Sequence, residues 1–525
     1  MNVQDRLRRQ LLLAIVFIGG MTSLALELSA SRLVAPYFGS SLFIWANLIG
    51  TELLFLTIGY SVGGRWADRN PSPIRLYTII AVAAGFITLV PLLSRPVLSL
   101  SLRGFASLDV GAFVGSLVGI NILLAVPITL LGMVTPFAIR LQITKLDQAG
   151  NTAGLIYALS TLGSIVGTFI PVFVLIPTIG TAKTFVLFGL ILLAGSLTGL
   201  YLAGARPQML RFGLPVGLLV SICLVAVALP HQIKPGFDGH LVTERESLYN
   251  YIQVVNNNGT YELVLNEGQA IHSLYNPVFN VLGGEWAYFL PAPLFNNPPY
   301  KTSDLHSACV IGLGAGTIPR NITNTYGPIP IDGVEIDPEI VNLGRQYFDM
   351  REKNLHVIEQ DGRYFLALTK KKYDYIAIDA YQQPYIPFQL TTKEFFQLTR
   401  DHLTPKGVVA INVGRAGSDF RLVNVLASTM RAVYHNVFII DVLGEANSIV
   451  VATNDDTTKI TNLAANLPNL QQDDLIQLTD NALSVDAHLR PGTTGDLIMT
   501  DDHAPVETII NQLILGYIRT DGNNP

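Results

Sequence analysis

Charge is scarce in this sequence, and its distribution is uneven. Of 525 residues only 14% are Asp, Glu, Lys or Arg, against roughly a quarter in an ordinary soluble domain. The first 230 residues hold six acids, 14 Lys or Arg and no histidine, and the remaining 33 acids, 20 bases and all nine histidines follow them. A half of net charge +8 therefore precedes a half of net charge −13. That split excludes a single soluble globule, a wholly embedded protein, a disordered chain and a nucleic-acid binder with an overall basic face. Cysteine is nearly absent too. Cys223 and Cys309, one in each half, leave neither a disulfide framework nor a cysteine-based zinc site, and no metal is expected.

Apolar chain fills the first half instead. Runs long enough to cross a hydrocarbon layer, about 20 residues each, lie at 11–31, 42–64, 76–94, 110–139, 152–176, 184–204 and 212–230. A cleaved signal peptide accounts for only one of them, and Leu11–Ile18 leads into more apolar chain rather than a processing site. The expectation is a multi-pass bundle of about seven transmembrane helices over residues 1–232, with the lipid bilayer of the cell membrane as its partner. Ten bases (Arg6, Arg8, Arg9, Arg65, Arg69, Arg75, Arg140, Lys145, Arg206 and Arg211) share one side, and five (Arg32, Arg95, Arg103, Lys183 and Lys234) share the other. This predicts a cytoplasmic N-terminus. Seven crossings would put the second half outside, but Pro91, Pro96, Pro127 and Pro136 leave room for a broken or re-entrant helix within 76–139, so its side stays open.

Charges within the runs mark either a polar path or packing pairs; Glu27, Arg32 and Glu52 are the candidates. Gly63-Gly64-Arg65-Trp66-Ala67-Asp68-Arg69 resembles the loop after the second helix of major facilitator transporters, although seven segments are too few for that fold. Gly111, Gly115 and Gly119, and Gly163 with Gly167, recur at four-residue spacing, which suits close helix packing.

Beyond residue 232 the periodicity changes. Tyr251–Val255 and Tyr261–Leu265 flank Asn256–Thr260, an Asn-Gly hairpin signal within a linker and β element over 233–300. From 301 onward short apolar strands at Ala308–Gly312, Ile331–Ile336, Leu355–Glu359, Tyr375–Asp379, Val408–Val413, Val437–Ile440 and Ser448–Ala452 alternate with helical stretches, which argues a parallel, doubly wound sheet. Asp337-Pro338 reads as a helix start, and Thr391-x-x-Glu394 as a capping box opening Thr392–Leu403.

Open sheets of this kind bind ligands at the carboxyl ends of their strands. Gly312, Gly314 and Gly316 follow the first strand, where missing side chains admit a ligand to the backbone and the next helix offers free N–H groups. The third glycine of a dinucleotide fingerprint would fall at Thr317, which disfavours NAD. Glu335 ends the second strand, where a carboxylate can accept ribose hydroxyls; Asp361-Gly362 follows the third, and Asp379 the fourth. Four successive strand ends so furnished describe a nucleoside pocket.

These residues resemble the spermidine synthase (polyamine aminopropyltransferase) family, and the whole chain looks like its membrane-fused branch. The likeness runs over about 244–510: Glu246-Ser247-x-Tyr249-x-x-Ile252-x-Val254, Leu265-Asn266-Glu267-Gly268, the Gly312 loop, Val334-Glu335-Ile336-Asp337, Asp361-Gly362, Ile378-Asp379-Ala380 and Leu390-Thr391-Thr392-x-Glu394-Phe395-Phe396. It implies a Rossmann-like methyltransferase/spermidine synthase-type domain behind an N-terminal β element. The implied reaction is aminopropyl transfer from decarboxylated S-adenosylmethionine to a diamine such as putrescine, with methylthioadenosine released. The resemblance makes Asp379 the catalytic acid and puts Gly312, Gly314, Ala315, Gly316, Glu335, Ile336, Asp361, Gly362 and Asp379 on the co-substrate. The family's glycine-loop Asp is here Ala315, its second acid three residues past Asp379 is Gln382, and its Tyr-containing motif is not recognisable in Gly284–Tyr288. Residues placed on the acceptor side are therefore Gln269, His272, Tyr381, Gln382, Asp501 and Asp502, with Glu267, Glu285, Gln383 and His503 as further substitutes. Two other readings remain. One is an S-adenosylmethionine-dependent methyltransferase or other transferase with a different acceptor; the other is a transporter with a non-catalytic nucleoside- or polyamine-sensing domain. A homodimer is a possible assembly, and no nucleic acid is expected.

Overall fold

The computed structural model describes residues 3–38, 42–105, 111–143, 148–228, 236, 238–266, 270–381, 386–495 and 497–521. Contacts divide the chain into two units, one of residues up to 235 together with Glu246–Tyr251, the other of Gly236–Arg245 and Ile252 onward.

In the first unit seven helices among the described residues are long and apolar enough to span a bilayer, and they coincide with the seven apolar runs. Val3–Phe38, Leu42–Arg69 and Pro73–Phe105 come first. Gly111–Gly132 is followed, after Met133, by Val134–Gln142. Ala149–Ile170 is prolonged to Ile179, and Thr181–Leu202 and a helix ending at Ala228 complete the set. The proline-rich stretch thus gives two long helices: Pro91, Pro96 and Pro127 stand inside them, as is tolerated where neighbouring helices cover the freed carbonyls. The segment Gly63–Arg69 is the end of the helix Leu42–Arg69 rather than a loop, and within it Gly63 packs against the Met133 backbone, 2.7 Å from where a β-carbon would stand.

Small residues set the helix spacing, as the four-residue repeats require. A β-carbon on Gly163 would lie 2.0 Å from the Phe17 carbonyl oxygen, and one on Gly167 2.0 Å from that of Met21. Polar side chains inside the bundle bond across helices: Asn47 Nδ2 donates to Ser116 Oγ (2.9 Å), and Ser23 Oγ donates to the buried Glu52 (2.7 Å), whose carboxyl also meets Glu27.

Apart from the connection Glu246–Tyr251, which groups with the first unit, the second unit opens on a four-stranded antiparallel meander, β1 (His240–Glu246), β2 (Tyr251–Asn257), β3 (Thr260–Leu265) and β4 (Ile271–Tyr275). The expected hairpin joins β2 to β3 through Asn258 and Gly259, both at positive φ (51° and 91°), the geometry that favours Asn-Gly.

An eight-stranded sheet follows. It is built from β5 (Ala308–Ile311), β6 (Ile331–Glu335), β7 (Leu355–Glu359), β8 (Tyr373–Ile378), β9 (Leu403–Gly414), β10 (Asn436–Asp441), β11 (Asn447–Thr453) and β12 (Arg490–Pro491). Its order is β12-β10-β11-β9-β8-β5-β6-β7. All seven expected strands are present, but the sheet is mixed rather than parallel: β5 to β9 run parallel, whereas β10, β11 and β12 pair antiparallel. The reason lies between β10 and β11, where the short turn 442–446 cannot carry the long crossover that a parallel return needs.

Alternation along the strands feeds two cores. Cys309, Ile311, Ile376, Ile378, Val409 and Ile411 face one layer with Phe395, Phe396 and Leu426; Ala308, Val310, Tyr375, Ala377, Val408 and Ala410 face the other with Ile318, Ile322 and Leu475. Fully burying a side chain such as Phe395 or Ile322 contributes roughly 1.5–3 kcal/mol, so both sheet faces are firmly covered and only the strand ends remain for ligands. The order reverses at β5, which lies between β6 and β8, so the crevice opens at the carboxyl ends of these strands.

Candidate active site

The loop after β5 is shaped by close backbone approaches. Gly312 has φ +82°, and a β-carbon on it would stand 2.3 Å from the Asp379 carbonyl oxygen; Asp379 N in turn donates to Ile311 O (2.8 Å). The two strand ends at the switch point are thereby drawn together. Gly314, at φ +54°, leaves room for Ser273, whose hydroxyl accepts from Ala315 N (2.9 Å). On the same strand Leu274 exchanges two bonds with Thr317 Oγ1, each 2.9 Å, so β4 braces the loop. Gly316 caps the helix Thr317–Tyr326. The Ala315 methyl is buried in a small core with Ile252, Val254, Ile340 and Phe348, and this loop offers backbone, not a charged side chain, to a ligand.

Glu335 ends β6 with both oxygens oriented. Oε2 accepts from Gly314 N (2.8 Å) and Oε1 from Asp337 N (3.1 Å). Burial and the neighbouring Asp337 push its carboxyl up to about 7, against the pull of those N–H donors. The lone pairs left over can take ribose hydroxyls. Ile336, next in sequence, is 39% exposed, an apolar face available to a nucleobase. Asp337 caps the helix Pro338–Tyr347 as expected, accepting from Glu339 N. Asp361 also caps a helix, Gly362–Leu368, by accepting from Tyr364 N (2.9 Å) on Oδ1; its second oxygen remains for a ligand. Gly362 is buried against Ile311, where a β-carbon would meet Cγ2 at 2.3 Å.

Asp379 follows β8 at the centre of the crevice. Its Oδ1 accepts from Asn412 Nδ2 (2.9 Å), and Asn412 Oδ1 accepts from Asn447 Nδ2 (2.9 Å). The Trp286 side chain supplies a further hydrogen bond to the carboxylate. Burial pushes the acid up to about 6, and the two donors hold it from rising further. Glu285 is close by: burial, then Asp379, then Glu445 push it up to about 8. The Tyr381 hydroxyl accepts from Gly414 N (2.8 Å) and donates to Asn412 O (3.2 Å), which fixes the ring to β9. Burial and the Asp379 charge hold this phenol well above its ordinary range. Among the described residues no ion pair engages Asp379, Glu285 or Glu335, and no group of three or more potential metal ligands is found. A cluster of carboxyl groups with no ion-pair partner among the described residues suits a cationic ligand, which draws them into their charged form.

The remaining acceptor-side candidates are scattered. His272 lies on β4 beside the glycine loop. Asp501 is committed elsewhere: it pairs through both oxygens with Arg363 (2.7 and 2.6 Å) and accepts from Thr392 Oγ1 (2.7 Å). Asp502 and His503 are exposed. Gln269, Gln382, Glu267 and Gln383 lie outside the described residues. The expected capping box is shifted by one. Thr392, not Thr391, caps the helix Lys393–Asp401, and Glu394 accepts from Asp501 N (3.0 Å) because the late segment occupies that helix start. Asn412 and Asn447 carried no expectation from the sequence, and Trp286 stood only within the unrecognised stretch Gly284–Tyr288. Asn412 carried a usable signal, a polar residue inside the apolar run Val408–Val413 of a central strand.

Residues 294–441 match the spermine/spermidine synthase domain family. Among curated relatives, a probable polyamine aminopropyl transferase of Bifidobacterium longum is 31% identical over 296 residues, 53% of this chain and 65% of the relative. A polyamine aminopropyltransferase of Vibrio vulnificus is 30% identical over 34% of this chain and 55% of its own length. The chain thus spans less than two thirds of either. A polyamine aminopropyltransferase of Mycobacterium tuberculosis is 24% identical over 73% of this chain and 79% of its own. Among solved structures, a probable spermidine synthase from Corynebacterium glutamicum aligns with TM-score 0.38 and 21% identity, over 49% of this chain and 98% of that one.

Proposed function

We propose that the spermine/spermidine synthase domain in the C-terminal part of this chain is a polyamine aminopropyltransferase, and that the helical region anchors it in the cell membrane. The observation that carries the enzymatic reading is the crevice in which the buried Glu335 and the half-buried Asp379 and Glu285 have no ion-pair partner among the described residues. Decarboxylated S-adenosylmethionine is a sulfonium with a free ammonium, and a diamine such as putrescine carries two. Both are attracted to such a site, and ordinary nucleosides are not attracted to the same degree.

In this reading Glu335 takes the ribose hydroxyls, the second oxygen of Asp361 takes the adenine amino group, and Gly312, Gly314 and Gly316 let the chain of the co-substrate pass close to the backbone. Asp379 accepts a proton from the acceptor ammonium, which must be neutral to attack. The amine lone pair then forms the new C–N bond at the carbon beside the sulfonium. The C–S bond breaks with its electron pair going to sulfur, and methylthioadenosine leaves. Asp379, pushed up to about 6, is ionised at neutral pH and close enough to the working range to exchange that proton. Glu285, beside it and pushed up to about 8, releases its proton to solvent when the distal ammonium arrives and pairs with that ammonium in place of the acid absent at Ala315.

The apolar surroundings of Ala315 favour one other reading, methyl transfer from S-adenosylmethionine. Titration calorimetry of the detergent-solubilised protein separates the two. Tight binding of the decarboxylated form over S-adenosylmethionine, weakened in Glu335→Gln, supports aminopropyl transfer; the reverse preference refutes it. For the anchor, seven long apolar helices and the basic loops support insertion with a cytoplasmic N-terminus. Reporter fusions at 70–72 and 145–148 are expected on the cytoplasmic face.

A further inference from the structure

Four helix ends of the bundle line a half-open pocket, with Arg8 and Arg9 exposed at it, that aminopropyl transfer does not use. It has a volume of about 360 Å³, within the roughly 300–1,000 Å³ that holds small ligands. Arg8 and Arg9 come from the start of Val3–Phe38, Ser72 precedes Pro73–Phe105, Gln142 ends Val134–Gln142, and Gly199 and Leu202 belong to the end of Thr181–Leu202. No acid is among its described lining residues. Arg8 is held in place because Nε and Nη2 donate to Leu202 O (3.0 and 2.7 Å), which also closes that helix end. Arg8 Nη1 and the Arg9 guanidinium take no hydrogen-bond or ion-pair partner among the described residues. The remaining wall includes the apolar side chains of Leu12, Ile74 and Leu141. At Gly199 a β-carbon would stand 2.4 Å from the Tyr77 ring, so the absence of a side chain there leaves the ring in its place on the wall.

Guanidiniums that have no ion-pair partner among the described residues, beside apolar side chains at the ends of helices that span a bilayer, match an amphiphile with an anionic head. Guanidinium is the group best suited to phosphate, and the basic loop side is where a cytoplasmic leaflet would present anionic headgroups. We propose that this cavity binds the phosphate headgroup of an anionic membrane phospholipid, with Arg8 and Arg9 on the phosphate and the apolar wall on the first acyl carbons. The proposal rests on the membrane reading of the bundle.

The test is thermal unfolding of the full-length, detergent-solubilised protein against short-chain phosphatidylglycerol, short-chain phosphatidylcholine, glycerol phosphate and inorganic phosphate. Saturable stabilisation by phosphatidylglycerol is expected, with apparent affinity about tenfold weaker in Arg9→Gln, the value of one charge-assisted contact. Arg8→Lys keeps the charge but loses the bidentate hold and is expected to fall between. Equal stabilisation by phosphatidylcholine, or unchanged phosphatidylglycerol affinity in Arg9→Gln, overturns the site. Glycerol phosphate or inorganic phosphate binding as tightly as the lipid overturns the lipid assignment. Detergent phase separation keeps the two readings apart. A protein that stays in the aqueous phase contradicts membrane insertion itself, whereas one that enters the detergent phase without preferring the anionic lipid contradicts only this site.

Discussion

Replacing Asn412 with leucine tests whether Asp379 is the proton acceptor. In the native site Asn412 Nδ2 donates to Asp379 Oδ1 at 2.9 Å, and this bond is the larger of the two that hold the buried carboxylate down near 6. A hydrogen bond to a charged group is worth about 1.5–3 kcal/mol, and one pH unit corresponds to about 1.4 kcal/mol. Losing the bond therefore moves the Asp379 titration up to around pH 7–8. At pH 7 the carboxylate falls from about nine-tenths ionised to about a quarter, so kcat/KM drops roughly fourfold and is regained toward pH 9. The leucine also strands the half-buried Asn447 Nδ2, which donates to Asn412 Oδ1; a fully buried unpaired donor costs about 1–3 kcal/mol of stability, and this one costs less. Asn447→Ala, which leaves the Asn412 donor in place, is the control and should move the acid limb less. The assay is methylthioadenosine release as a function of pH, with unfolding followed in parallel. An acid limb that stays near pH 6 in a folded, active Asn412→Leu enzyme would refute the assignment.

Three further outcomes follow from the geometry. Glu285 is pushed up to about 8 by burial, Asp379 and Glu445, so the native state keeps a proton that the unfolded chain loses above about pH 4.5, and stability from this group falls as pH rises through that window. Glu285→Gln should accordingly melt higher than wild type at pH 8, by about 2–4 °C per kcal/mol relieved, with the gap closing at pH 5; an equal gap at both would count against it. Gly312→Ala must hold a non-glycine residue at φ +82° and pass a methyl group 2.3 Å from the Asp379 carbonyl oxygen. The strain alone costs about 1–3 kcal/mol, and co-substrate binding by calorimetry should be lost even where the domain remains folded. In the bundle, Gly167→Leu drives a side chain into the Met21 carbonyl, 2.0 Å from the β-carbon position; overpacking of about 1–3 kcal/mol should lower the melting point in detergent, and an unchanged melting point would argue against the tight helix pair.

The parts that sequence reading recovered share a physical basis. Apolar runs of membrane-crossing length, the Asn258-Gly259 turn and the helix start at Asp337-Pro338 are local signals, each decided by a few consecutive residues. That Glu335 ends β6 and Asp379 follows β8 was legible because each acid closes a short apolar run; what either binds is a proposal. What escaped depends on contacts remote along the chain. Antiparallel pairing of β10 and β11 follows from the length of one turn. Thr392 rather than Thr391 caps its helix because Asp501 arrives from more than a hundred residues away, and that same arrival spends Asp501 on Arg363. Asn412 meets Asp379 through the pairing of β8 with β9, Trp286 reaches it from a segment more than ninety residues earlier, and the charges of Asp379 and Glu445 that help to raise Glu285 come from segments remote from it along the chain.

The central claim is that the anionic crevice transfers an aminopropyl group with Asp379 as the proton acceptor. Its most direct test is mass analysis of the products formed by the full-length, detergent-solubilised protein from decarboxylated S-adenosylmethionine and a diamine, beside the same reaction in Asp379→Asn. The predicted result is methylthioadenosine together with an amine heavier by one aminopropyl group, both lost in the variant. A product heavier by one methyl group when S-adenosylmethionine is supplied instead, or aminopropyl transfer that survives Asp379→Asn, would contradict it.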